Sequence, residues 1–226
     1  MFCGGFKSDM TGTKALALEA ACRAEGRAFV RFDYYAHGAS PGDFEKGTIG
    51  RWKEDTLAVI DEVTEGSLVI VGSSMGGWMM LLAALERPDR VKGLVGVAAA
   101  PDFTQELMWP ELSDEARVAL ARDGVWRSPS QYSEDPYPIT LQLIEEGRNH
   151  LVLHRLDSVR CPVRLLHGMR DPDVPWRHSV RLVEALGSTD VTLELIKDGD
   201  HRLSTPADIA RLTTTVETLC REVAAG

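Results

Sequence analysis

No stretch of the 226 residues runs apolar for the ~20 positions a membrane-spanning helix needs, and the first residues lack the basic-then-apolar pattern of a secretory signal. Stable membrane insertion is therefore not expected. Basic residues are in deficit, 25 Lys and Arg against 34 Asp and Glu, for a net charge of −9 and a pI near 5.2. That balance disfavours nucleic acid and anionic lipid surfaces as partners. Cysteine is sparse: Cys3, Cys22, Cys161 and Cys220 are scattered, with no C-x-x-C pair. Dispersed cysteines in apolar surroundings read as reduced core residues, so a cytoplasmic location is expected. Internal repeats and low-complexity segments are also missing, and the length suits one domain with a sizeable core.

What is present is organised around Leu68 to Leu82, LVIVGSSMGGWMMLL. An apolar run breaks at Gly72 and a second begins after Gly77, the pattern of a buried strand turning sharply into a helix. The turn reads Gly72-Ser73-Ser74-Met75-Gly76, a G-x-S-x-G nucleophile elbow in its strand–turn–helix setting. A serine raised on such a turn leaves no room for flanking side chains, hence glycine on both sides. The first-turn N–H groups of the following helix face whatever oxygen the serine attacks, so Met75 N–H is the expected first oxyanion donor.

Around the elbow, strand and helix alternate. Helices are predicted over Lys14 to Glu25 and along Trp52, Thr56, Val59, Ile60 and Val63; strands over Ala28 to Asp33, Leu68 to Val71 and Val91 to Ala100. This rhythm indicates βαβ units and a mainly parallel sheet. From Asp102 to about Leu156 it lapses: no convincing strand is found, only helix-like patches with Met108, Trp109, Trp126, Tyr132 and Tyr137. Such an insertion is either a lid or a surface excursion, and the lid is the preferred reading. The predicted division is a core of 1–101 and 157–226 with a small helical lid at 102–156. Met108, Trp109 and Trp126 are candidates to line an apolar pocket, or else to pack the lid onto the body. Alternation resumes with strands at Pro162 to His167 and Val191 to Ile196, a helix from Trp176, and a C-terminal helix from Pro206.

A serine hydroxyl needs a base and an orienting acid. In an α/β-hydrolase arrangement these follow in the order Ser, Asp or Glu, His, each on a loop after a strand. Asp171 in GMRDPDVP and His201 in DGDH fit that order; Asp173 is the rival acid, and the G-x-x-D-x-x-V-P spacing favours Asp171. The second oxyanion donor is assigned to Phe6 N–H, after Gly4-Gly5. His150 and His154 are spaced i, i+4 but lack a third ligand, so no metal site is assigned. His37 and His167 read as structural hydrogen-bonding residues.

The segments FCGGFKSDMTGTKALALE, RFDYYAHGAS, GTIGRWKED, VGSSMGGWMMLLAAL, HGMRDPDVPW and DGDHR together resemble the α/β-hydrolase-domain family of mitochondrial acyl-glucuronide esterase and palmitoyl-protein thioesterase, with its bacterial relatives. The resemblance spans nearly the whole chain. It implies cleavage of carboxylic esters or thioesters by Ser74, Asp171 and His201, with no cofactor, acting on a small-molecule or acyl-protein substrate. Two departures stand out: Ala36 replaces a glycine common in relatives, and the hairpin and body of a third strand that normally precede Gly4 are missing, which leaves room for an upstream targeting segment. A small-peptide or amide hydrolase of the same fold, and a non-catalytic ligand-binding module, are the alternatives. Oligomeric state is not readable from the sequence.

Overall fold

A computed structural model describes residues 1–129 and 136–225; Tyr132 lies outside them. In chain order the elements are β1 (Phe2–Cys3), α1 (Thr13–Ala24), α2 (Ile49–Ala58), β2 (Leu68–Ser73), α3 (Met75–Glu86), β3 (Val91–Val97), α4 (Trp109–Glu111), α5 (Asp114–Asp123), β4 (Val125–Ser128), β5 (Tyr137–Thr140), α6 (Leu141–Gly147), β6 (Val163–Gly168), α7 (Trp176–Ala185), β7 (Val191–Ile196) and α8 (Pro206–Ala225). The five strands β1-β2-β3-β6-β7 form one sheet in that order, every pair parallel. This is the α/β-hydrolase fold, a mostly parallel sheet flanked by helices.

Successive strand residues alternate between two cores, as a pleat of period two requires. Ile70, Leu94 and Leu165 enter one cluster with α3 and Trp52 of α2. Their neighbours Val71, Val95 and Leu166 enter the other, with Leu18 of α1 and Leu212, Val216 and Leu219 of α8. Because the central strands are covered on both faces, they read as continuous apolar runs. Each fully buried Leu or Val contributes about 1.5–3 kcal/mol. Helix α3 is buried from Met75 through Ala84, which explains why its sequence is apolar all round.

Two elements differ from expectation. Ala28 to Asp33 makes only an isolated bridge, Phe2 to Arg31, with Phe2 N–H donating to Val30 O at 2.8 Å. On its other side β1 pairs over both of its residues with β2, Phe2 with Val71 and Cys3 with Gly72. Residues 102–156, expected to hold no strand, contain the antiparallel hairpin β4–β5, with Val125 opposite Thr140 and Ser128 opposite Tyr137. Its strands are four residues long and carry Pro138, which a two-stranded ribbon tolerates because both strands are edges. Helix signals within the segment are conventional: Ser113 Oγ accepts from Ala116 N–H, Gly124 ends α5 in the left-handed region, and Thr140 Oγ caps α6 through Leu143 N–H.

Residues 102–156 are tied to one another and to the rest of the chain at defined points. The Asp102 carboxylate accepts from Val152 and Leu153 N–H at 2.8 and 3.0 Å, so the segment's start grips its end. Glu146 accepts from Gly50 N–H at 3.1 Å and pairs with His150 at 2.6 Å, while Trp78 Nε1 donates to the His150 carbonyl at 2.9 Å. Ala36, the departure from glycine, adopts φ +57°, a left-handed conformation that costs a non-glycine residue about 1–2 kcal/mol.

Candidate active site

Ser74 stands between β2 and α3 at φ 55° and ψ −119°. A Cβ at position 72 would lie 2.4 Å from Gly76 O, and one at 76 would lie 2.0 Å from Cys3 O. Both contacts are with backbone, so glycine is the residue that lets the elbow close. Ser74 N–H donates to Val97 O at 3.0 Å, and Ser74 O accepts from Gly77 and Ala100 N–H, which locks the strained turn to β3.

His201 lies on the loop after β7 and Asp171 on the loop after β6. His201 Nε2 is 3.1 Å from Ser74 Oγ, and His201 Nδ1 is 2.7 Å from Asp171 Oδ2. The carboxylate only accepts when ionised, so Nδ1 carries the proton and Nε2 is left to receive the serine hydroxyl's. The two loops touch backbone to backbone: a Cβ on Gly168 would lie 2.3 Å from Gly199 O. Asp171 Oδ1 accepts from Asp173 and Val174 N–H at 2.8 and 2.9 Å, the local turn favoured by Asp. Burial of its fully enclosed side chain pushes the Asp171 carboxyl up; hydrogen bonds from His167 and His201 and from Val174 N–H outweigh this and hold it well below the usual carboxylate range. The rival Asp173 contributes its backbone N–H to this turn. Lys14 of α1 reaches the Arg202 carbonyl beside His201; its burial pushes the ammonium down to about 8.

On the other side of Ser74, Gly5 comes so close that a Cβ on it would lie 3.5 Å from Ser74 Cβ. Gly5 C=O accepts from Ser8 N–H at 3.2 Å and from Ser8 Oγ at 2.8 Å. Phe6 N–H shares that peptide plane and points opposite to the carbonyl. Lys7 N–H donates to His37 Nε2 at 3.1 Å, and Nδ1 therefore donates to Tyr35 O at 3.1 Å. Burial pushes His37 down, which keeps Nε2 available as an acceptor. The Phe6 ring meets Phe44, Trp52, Phe103 and Tyr137 edge-on at 5.0–6.0 Å, joining the body to the hairpin.

Met108, Trp109 and Trp126 lie together with Phe6 and Tyr137 around the insertion's own small core of Leu120, Ile139 and Ile144. Met108 also packs against the main core, whereas Trp109 is stacked by Arg117 and Arg148. Among the described residues the grouping with metal-ligand spacing is Asp171, Asp173 and His201, within 4.8 Å of one another; two of these three already bond each other. Sequence reasoning did not associate His167, Ser179, Lys14 or His37 with this site, because their links to it run through backbone atoms or through contacts made only after folding. No described helix is long and apolar enough to cross a membrane.

A parallel sheet bearing a seryl elbow on β2, with an acid and a histidine on the loops after its last two strands, defines a protein of the hydrolase class. The chain belongs to the alpha/beta hydrolase family, which it matches over residues 5–212. It is 46% identical to palmitoyl-protein thioesterase ABHD10, mitochondrial, of Bos taurus over 97% of this chain and 72% of that protein. Among solved structures, one from Agrobacterium vitis S4 superposes with a TM-score of 0.94 at 45% identity, covering 96% of this chain and 86% of that one. Alpha/beta hydrolase domain-containing protein 10 from mouse gives 0.90 at 41% identity, covering 98% and 89%. The resemblance noted in the sequence is thus shown. The cytoplasmic location is corrected: the curated relative is named as mitochondrial. Free cysteines such as Cys3, Cys22, Cys161 and Cys220 do not distinguish the cytosol from other reducing compartments.

Proposed function

We propose that this chain cleaves carboxylic esters or thioesters by way of an acyl-enzyme on Ser74. The observation that carries the reading is His201, held at hydrogen-bond distance from both Ser74 Oγ and Asp171 Oδ2. In the first step His201 Nε2 takes the hydroxyl proton as Oγ attacks the acyl carbonyl, then delivers it to the departing alcohol or thiol. Asp171 keeps the imidazole in the Nδ1–H tautomer and stabilises the imidazolium. Met75 and Phe6 N–H groups receive the oxyanion, each worth roughly 3 kcal/mol in the transition state. Water, activated by the same histidine, releases the acid. Every step is supplied by the chain's own residues, so no cofactor or metal is called for.

Residues 102–156 act as the lid over this centre, with 1–101 and 157–226 as the body. Phe6, Met108, Trp109 and Trp126 offer an apolar wall, which suits a hydrocarbon acyl group. A relative named for removing palmitoyl groups from protein supports an acyl thioester as the substrate class. The test is a series of acyl groups from acetyl to palmitoyl, each as p-nitrophenyl ester, thioester and anilide. Turnover of esters and thioesters at least about 100-fold faster than of anilides, ~2.7 kcal/mol in transition-state binding, is expected. Equal anilide cleavage would select an amide hydrolase instead; tight acyl binding with no turnover would select a binding module.

A further inference from the structure

The last residue but one of strand β6 is His167, whose side chain is fully buried and lies four residues before the proposed acid. Its Nε2 is 2.9 Å from Val174 O and 3.2 Å from Asp171 Oδ2, while its Nδ1 is 2.6 Å from Ser179 Oγ on α7. A backbone carbonyl and an ionised carboxylate can only accept. The Nε2 atom therefore carries a proton whatever the charge of the ring, and Ser179 occupies the other nitrogen. Asp171 Oδ2 is thus hydrogen-bonded to His201 from the reacting side, and the single Nε2–H of His167, bonded to Val174 O, also lies close to Oδ2 from the core as the longer arm of a shared donor.

We propose that His167, with Ser179 behind it, is a positioning residue for the acid of the triad. This role rests on the reading of Ser74, His201 and Asp171 given above. The two backbone donors on Oδ1 and the His167 donor on Oδ2 fix the rotation of the carboxyl group so that Oδ2 faces His201 Nδ1. The same donor tempers the basicity of Oδ2, and with it the strength with which Asp171 favours the protonated form of His201. Removing it leaves a more basic carboxylate, so His201 holds its proton to higher pH and the acid limb of the rate profile moves up. The other titratable or charged groups facing this network are His178 on α7, Asp173 in the acid's own loop, Asp200 and Arg202 beside His201, and Lys14 from α1. All of them are kept in the variants.

The experiment records kcat/KM against pH for p-nitrophenyl ester hydrolysis by the wild type, His167→Leu, His167→Gln and Ser179→Ala. His167→Leu is expected to raise the acid-limb pKa by about half a unit and to lower kcat about tenfold, with KM within about twofold. His167→Gln places an amide N–H at the same reach and is expected to return the limb toward wild type. Ser179→Ala, which removes the hydrogen bond that anchors the far side of the ring and lets the imidazole turn away from Asp171, shifts the limb the same way by less and carries the test if His167→Leu does not fold. Ser74→Ala is run alongside. A limb unmoved in every variant that folds, in chains whose turnover still depends on Ser74, overturns the role of His167. Turnover that survives Ser74→Ala overturns the triad itself.

Discussion

Ser74→Ala is expected to lower kcat for ester hydrolysis by about 10⁶-fold while leaving KM within a few-fold, because nucleophile and base act as one unit. The substitution keeps the elbow's φ of 55° and removes one oxygen, whose hydrogen-bond partner is His201 Nε2 at 3.1 Å. Folding should be little affected, since the turn is held by Ser74 N–H on Val97 O and by two donors on Ser74 O. A residual acceleration of roughly 10³ over water should persist from the oxyanion donors and acyl binding. Far-ultraviolet circular dichroism and urea midpoints separate loss of chemistry from loss of fold. A folded variant within tenfold of wild type would mean that another group attacks the acyl carbon.

Gly76→Ala is expected to destabilise the chain by roughly 3 kcal/mol and to abolish turnover as well. The added methyl would sit 2.0 Å from Cys3 O and 2.6 Å from Gly4 O. Those are backbone atoms of β1 and of the loop carrying Phe6, so relief requires moving the sheet strand and the proposed second oxyanion donor together. Gly66→Ala is the matched control. Unlike Gly76, which is helical, Gly66 has a positive φ, 66°, but a Cβ there meets nothing within 4 Å, so a substitution there carries the conformational cost of about 1–2 kcal/mol without the clash. Urea midpoints of the two variants decide between them: equal losses would show that the close packing of elbow against β1 is not what demands glycine.

These expectations rest on features of unequal legibility in the sequence. The elbow was readable because its chemistry constrains three residues within a run of five, and the clash distances at Gly72 and Gly76 show why. The order of Ser74, Asp171 and His201 along the chain was readable because each follows an apolar strand that ends in a Gly-rich turn. Strand β4 was not, since its four residues VWRS show no period long enough to register above the surrounding prolines. Ala28 to Asp33 has strand composition, yet pairing depends on a neighbour, and only Arg31 bridges to β1. His167 illustrates the remaining gap. Its neighbours Leu165 and Leu166 mark it as a strand end, but the Asp171 and Ser179 contacts depend on how the next loop and α7 fold back over it. Likewise, free cysteines bear on redox state alone and do not choose among reducing compartments.

Whether Ser74 is the activated nucleophile is decided by intact-mass analysis after treatment with a fluorophosphonate. One adduct per chain is expected, mapped to the peptide carrying Ser74, absent from Ser74→Ala and strongly slowed in His201→Ala. A folded wild-type chain that takes up no label, or takes it on a different serine, would contradict it.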